Sequence, residues 1–235
     1  MTARLSAGEV LRARRELMDG LAWPLAAEFT IRVMEELMRR YPDDGWQLFY
    51  PAAAEGEFLG ILATELCDAR AYQVRGSVNP LIRRLMEESG PLAAGDVPEP
   101  PSPEGIAWFD RPPSLPGASE PTSFRALSWG TPLVLFPDGH TEPGVRVTAW
   151  KDTGSLPAAA RRTWASEMGR GSLLLFASSN VRLRTDKALP DSVTAWLYAL
   201  WRVLADGNLA ALGTVTPAGA GDQDGGAQVT VVAPA

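Results

Sequence analysis

Nine prolines fall between residues 91 and 121, at positions 91, 98, 100, 101, 103, 112, 113, 116 and 121. Each removes a backbone donor and clashes with the preceding helical turn, so regular helix is excluded from most of that span. Before it, apolar residues recur every three or four positions. After it, they come in short runs separated by turn residues. This pattern predicts an α+β protein: a helical layer over 1–90, a Pro-rich linker over 91–121, and a mainly antiparallel sheet with an apolar C-terminal helix packed on it over 122–235. A short sheet needs a cover for one face, so the parts are expected to form one integrated core. A chain of 235 residues is long enough to bury such a core.

The first helix is announced by Ser6-Ala7-Gly8-Glu9, a capping box that should lead a helix to about Met18, with Gly20 as its stop. A second is predicted from Pro24 to Tyr41. A third, from about Glu57 to Tyr72, should bury Phe58, Ile61, Leu62 and Leu66, with Cys67 beside them as a small buried hydrophobe. Asn79-Pro80 opens a fourth helix carrying Leu81, Ile82, Leu85 and Met86.

Four apolar runs mark the sheet: Ile106–Phe109, Ser123–Trp129, Leu133–Phe136 and Val145–Trp150. Pro137-Asp138-Gly139-His140 is a strong turn signal, so the last two runs should form a hairpin. In Ser123–Trp129 either face could be buried, and the register stays open. Leu173–Ala177 reads as a buried strand, Pro190-Asp191-Ser192 opens an apolar helix to about Leu204, and Gln228–Val232 is a last strand or an ordered tail.

Composition removes several function classes. The net charge of −6 argues against a sequence-independent nucleic-acid binder, which needs a dense positive surface. Cys67 and His140 are the only residues of their types, which excludes an internal disulfide and the familiar His/Cys zinc sites. No run approaches the ~20 apolar residues that span a bilayer, and Met-Thr-Ala-Arg-Leu-Ser lacks the apolar core of a signal peptide. A cytoplasmic location without membrane contact is expected.

Two functional readings remain. The first is a non-catalytic binding or assembly protein that docks another protein through an aromatic surface, with Trp108, Asp110, Arg125, Trp129 and Trp150 as binding residues. The second is a small metal- or phosphate-handling enzyme of hydrolase or nuclease type, with Asp138, His140 and Lys151 as catalytic residues in a polar cleft near the sheet. Certain nucleases converge an acid with an acid-x-Lys on the next strand around a metal. Asp138 and Lys151 imitate that spacing, but Ala149 stands where the second acid is needed, so no metal-ligand set is assigned and no cofactor is indicated.

With Trp108-Phe109-Asp110, then Arg125 to Trp129, then Val145 to Trp150, and Trp196 with Leu200-Trp201 on a helix, residues 105–205 resemble proteins of actinobacterial mobile elements. That group has no assigned activity. The resemblance implies a bacterial setting linked to plasmid, phage or defence biology, and it transfers no residue role.

Overall fold

In the computed structural model, residues 6–21, 39, 56–89, 97–113, 124–152, 173–183, 193–215 and 228–235 are described. They form helices α1 (Ala7–Leu21), α2 (Gly56–Asp68), α3 (Asn79–Ser89) and α4 (Val193–Ala205). The strands are β1 (Arg70–Val74), β2 (Gly105–Phe109), β3 (Ala126–Gly130), β4 (Leu133–Leu135), β5 (Thr141–Asp152), β6 (Leu173–Leu183), β7 (Ala210–Val215) and β8 (Val229–Pro234). The predicted helix over 24–41 lies, but for residue 39, outside the described residues.

All eight strands join one sheet in the order β4-β5-β3-β2-β1-β8-β7, with β6 also paired to β5. Five of the seven pairings are antiparallel. The two parallel ones, β1 with β2 and β1 with β8, occupy the middle. The protein is therefore α+β with a mixed, mostly antiparallel sheet.

Helices cover both faces. On one, α1 and α2 bring Val10, Leu11, Leu17, Leu59, Leu62 and Leu66 against Ala71, Ile106, Trp108, Ala126, Trp150 and Val229. On the other, α3 and α4 lay Ile82, Met86, Trp196, Leu197 and Trp201 on Tyr72, Phe109, Leu127, Trp129 and Val147. The first 90 residues thus supply helices to both faces, where the sequence pattern had suggested one layer. This two-sided cover resolves the open register of β3: Leu127 and Trp129 face α4, Ala126 faces α1 and α2, and all five residues are buried.

Several expectations hold. Ser6 N–H donates to Glu9 Oε2 at 2.6 Å and Glu9 N–H to Ser6 Oγ at 3.3 Å, the reciprocal capping box at the start of α1. The β4–β5 hairpin turns through Asp138-Gly139, with Gly139 at φ 87°, where a side chain is disfavoured.

Others need correction. The predicted third helix stops at Asp68, and Arg70–Val74 is the strand β1 at the middle of the sheet. Buried on both faces, Ala71-Tyr72-Gln73-Val74 shows no two-residue alternation, so its apolar run reads as continued helix. The strand expected at Ile106–Phe109 forms as Gly105–Phe109, fully buried between β1 and β3, so it is the linker assigned to 91–121 that needs shortening. Cys67 is exposed: Leu59, Leu62 and Leu66 define the buried stripe of α2, and the next position turns ~100° away from Leu66. Ile61 is likewise 40% exposed. Strand β7, Ala-Ala-Leu-Gly-Thr-Val, had no sequence signal, because five of its six residues are exposed and no alternation marks it.

Candidate functional site

The predicted site residues separate into three places. Trp108, Trp129 and Trp150 are at most 2% exposed. Trp129 Nε1 donates to the Ser102 carbonyl at 3.0 Å and Trp150 Nε1 to Ser128 Oγ at 2.9 Å. Trp129 packs on Tyr72 and Trp201. The expected aromatic docking surface is therefore absent at these positions: with helices on both faces, the indoles are core.

Asp138 and His140 sit at the tip of the β4–β5 hairpin. His140 stacks on Phe136 with ring centroids 4.3 Å apart. Its Nδ1 contacts Asp138 Oδ1, and its Nε2 lies 3.4 Å from Glu142 Oε1. Lys151 belongs to the far end of β5, ten residues along the strand from Thr141. At the strand rise this separation is ~30 Å, so the proposed acid–His–Lys convergence is ruled out by topology. Turn and strand end were close in sequence only.

Asp110 and Arg125 do come together, at the carboxyl ends of the parallel strands β1 and β2. Gln73 Nε2 donates to Asp110 Oδ1 at 3.1 Å, and Arg75 Nη1 to Asp110 Oδ2 at 3.0 Å. Arg125 Nη1 donates to the Asp110 carbonyl at 3.0 Å. The Asp110 N–H in turn donates to the Val74 carbonyl at 3.0 Å. Asp110 is 8% exposed and Gln73 1%, so an almost buried carboxylate is paired and fully hydrogen-bonded. Sequence reasoning missed Gln73 and Arg75. The available signal was an amide inside an otherwise apolar strand, since a buried polar side chain needs a partner.

A cleft of about 550 Å³ lies beside α2 and the amino end of β2, lined by Gly60, Ile61, Thr64, Glu65, Asp68 and Glu104. Glu65 crosses from α2 over Gly130 to pair with Arg146 on β5. A Cβ at Gly130 would sit 2.5 Å from Glu65 Cδ, so a side chain there would displace the Glu65 carboxylate from its present path. Burial pushes the Glu65 carboxyl above its ordinary range, the Arg146 guanidinium opposes this, and the charge of Glu104 adds to it. Three carboxylates against one arginine make this cleft hostile to phosphate. Among the described residues no group of three or more His, Cys, Asp or Glu could hold a metal ion.

The β4–β5 hairpin also carries apolar residues that were not among the predicted site residues. Thr141–Pro143 pairs with β4, whereas from Gly144 onward β5 is flanked by β6 and then also by β3. Among the described residues this end of the hairpin is a two-stranded arm at the edge of the sheet. Leu133 and Leu135 point to one side of it, 70% and 71% exposed, opposite the exposed Pro143 and Thr141.

Comparison of the chain with protein-family models, with curated proteins and with solved structures gave no match. No described helix is long and apolar enough to cross a membrane.

Proposed function

We propose that the protein is a non-catalytic binding module that docks a partner polypeptide through the β4–β5 arm. The observation that carries this is the exposure of Leu133 and Leu135 on one side of a two-stranded arm. Large aliphatic side chains held in water on a projecting ribbon gain free energy only when something covers them. Their neighbours give the partner's chemistry. Asp138 and Glu142 make the arm tip acidic on a chain of net charge −6, so a second copy would bring like charges together. A partner with an apolar strip edged by Lys or Arg fits. The bacterial mobile-element setting rests on the sequence resemblance alone. The enzymatic alternative is supported less well, because Asp138 and His140 lie far from Lys151.

The test is affinity purification of the tagged full chain from a bacterial host, beside a Leu133→Ser/Leu135→Ser variant with an unchanged melting curve. One basic polypeptide recovered at near-equal stoichiometry with the wild type, and lost from the variant, is the expected result. Equal recovery by both forms would remove the arm from the interface.

A further inference from the structure

We propose that β7 pairs with β7 of a second copy of the chain, antiparallel across a two-fold axis at Gly213, and so joins two sheets into one. Strand β7 closes the sheet at the end remote from the β4–β5 arm, and among the described residues its outer edge has no partner strand. Which of its backbone groups face outward follows from its neighbours. The Arg75 N–H donates to the Val232 carbonyl at 2.9 Å, so the N–H and C=O of Val232 are turned towards β1. Leu212 stands opposite Val232 in the β7–β8 ladder, and the two therefore form a pair without mutual hydrogen bonds. The Leu212 N–H and C=O point away from β8, and those of Thr214, two residues on, do the same. Such an edge is satisfied by one further strand.

The strand's own sequence selects a second copy as that further strand. Ala210-Ala211-Leu212-Gly213-Thr214-Val215 has no charged residue and no proline, the usual guards of an exposed edge. On a chain of net charge −6, such a neutral strand lets two copies meet without bringing acids together. A two-fold axis makes residue i face residue j wherever j faces i. Centred on Gly213, it places Leu212 of each copy opposite Thr214 of the other, and each of these pairs exchanges its outward N–H and C=O groups. A register centred on Leu212 would call on the Ala210 N–H, which already donates to the Asp206 carbonyl at 3.3 Å. On the axis the two Gly213 residues form a pair without hydrogen bonds, the closer kind of approach at ~4.5 Å between Cα atoms. The same pairing lays Leu212 and Val215, 49% and 41% exposed, against Thr214 and Ala211 of the other copy.

The experiment is sedimentation equilibrium of the full chain as its concentration is raised. A short edge pairing buries little area, so a monomer–dimer equilibrium in the micromolar range is expected. Leu212→Lys/Thr214→Lys sets like charges opposite each other and should give the single-chain mass throughout. Both side chains are exposed, so this variant should keep the melting curve of the dilute wild type. Leu212→Lys/Thr214→Glu sets opposite charges face to face in the same register and should restore the dimer. Gly213→Cys in a Cys67→Ser background should crosslink on oxidation, because ~4.5 Å lies within disulfide reach and a Cβ at Gly213 meets nothing within 4 Å. Ala211→Cys in the same background should not crosslink. A single-chain mass for the wild type at millimolar concentration, a dimer that survives Leu212→Lys/Thr214→Lys, or no excess of crosslink at 213 over 211 would each overturn the proposal.

Discussion

Adding one methyl group at Gly105 should destabilise the protein by about 2 kcal/mol, although alanine suits a strand better than glycine. Gly105 pairs with Trp129 across β2 and β3, and the indole lies over the glycine. A Cβ there would sit 2.6 Å from Trp129 Cη2 and nearer still to two other ring atoms, against the ~3.5–4.0 Å of ordinary carbon contact. The ring cannot swing aside freely. Its Nε1 is bonded to Ser102 at 3.0 Å, and its faces and edge meet Tyr72 at 5.5 Å and Trp201 at 5.8 Å between centroids. Replacing glycine in a strand returns ~0.5–1 kcal/mol. Overpacking costs ~1–3 kcal/mol, and three crowded ring atoms place this case at the upper end. The difference is the figure given above, read from urea unfolding as a lower midpoint at unchanged slope. Trp129→Phe shortens the ring, so the double variant should cost less than the sum of the singles by ~1 kcal/mol or more. A Gly105→Ala protein as stable as the wild type would show that Trp129 is not held over this position.

Other outcomes follow from single sites. For Glu65 the folded state holds its proton more tightly than the unfolded chain, because burial raises the carboxyl above the ordinary glutamate range. Stability should therefore fall as pH rises through the window just above that range, and urea midpoints of Glu65→Gln should lack this component. Gly139→Ala forces a side chain onto φ 87° and should cost ~1–2 kcal/mol, measured by thermal melting. Trp196→Ala empties a fully buried site between Phe109 and Phe124 and should cost ~3–5 kcal/mol in the same assay.

How much of this was legible in the sequence depends on whether a signal was local. Ser6 with Glu9, Pro137 to His140, and the apolar stripe from Trp196 to Leu204 each carry their reason within a few residues, and each element formed as expected. Strand β1 did not announce itself. Helices on both faces bury Tyr72 and Gln73 alike, and its apolar run follows directly on a genuine helical period. The same two-sided burial turned Trp108, Trp129 and Trp150 from expected interface into core. Asp110 and Arg125 could be named from sequence, but not their relation to Gln73 and Arg75, which depends on β1 and β2 lying parallel. Asp138 and Lys151 show the converse: spacing imitated a site, and a 12-residue strand carried its members apart.

The docking role of the arm is tested most directly by placing a photo-crosslinking residue at Leu135 in living cells, with the same residue at exposed Arg83 on α3 as control. A single adduct of one basic polypeptide from position 135 and none from position 83 is the predicted result. No adduct at 135, an adduct with a second copy of the chain, or equal adducts from both positions would contradict it.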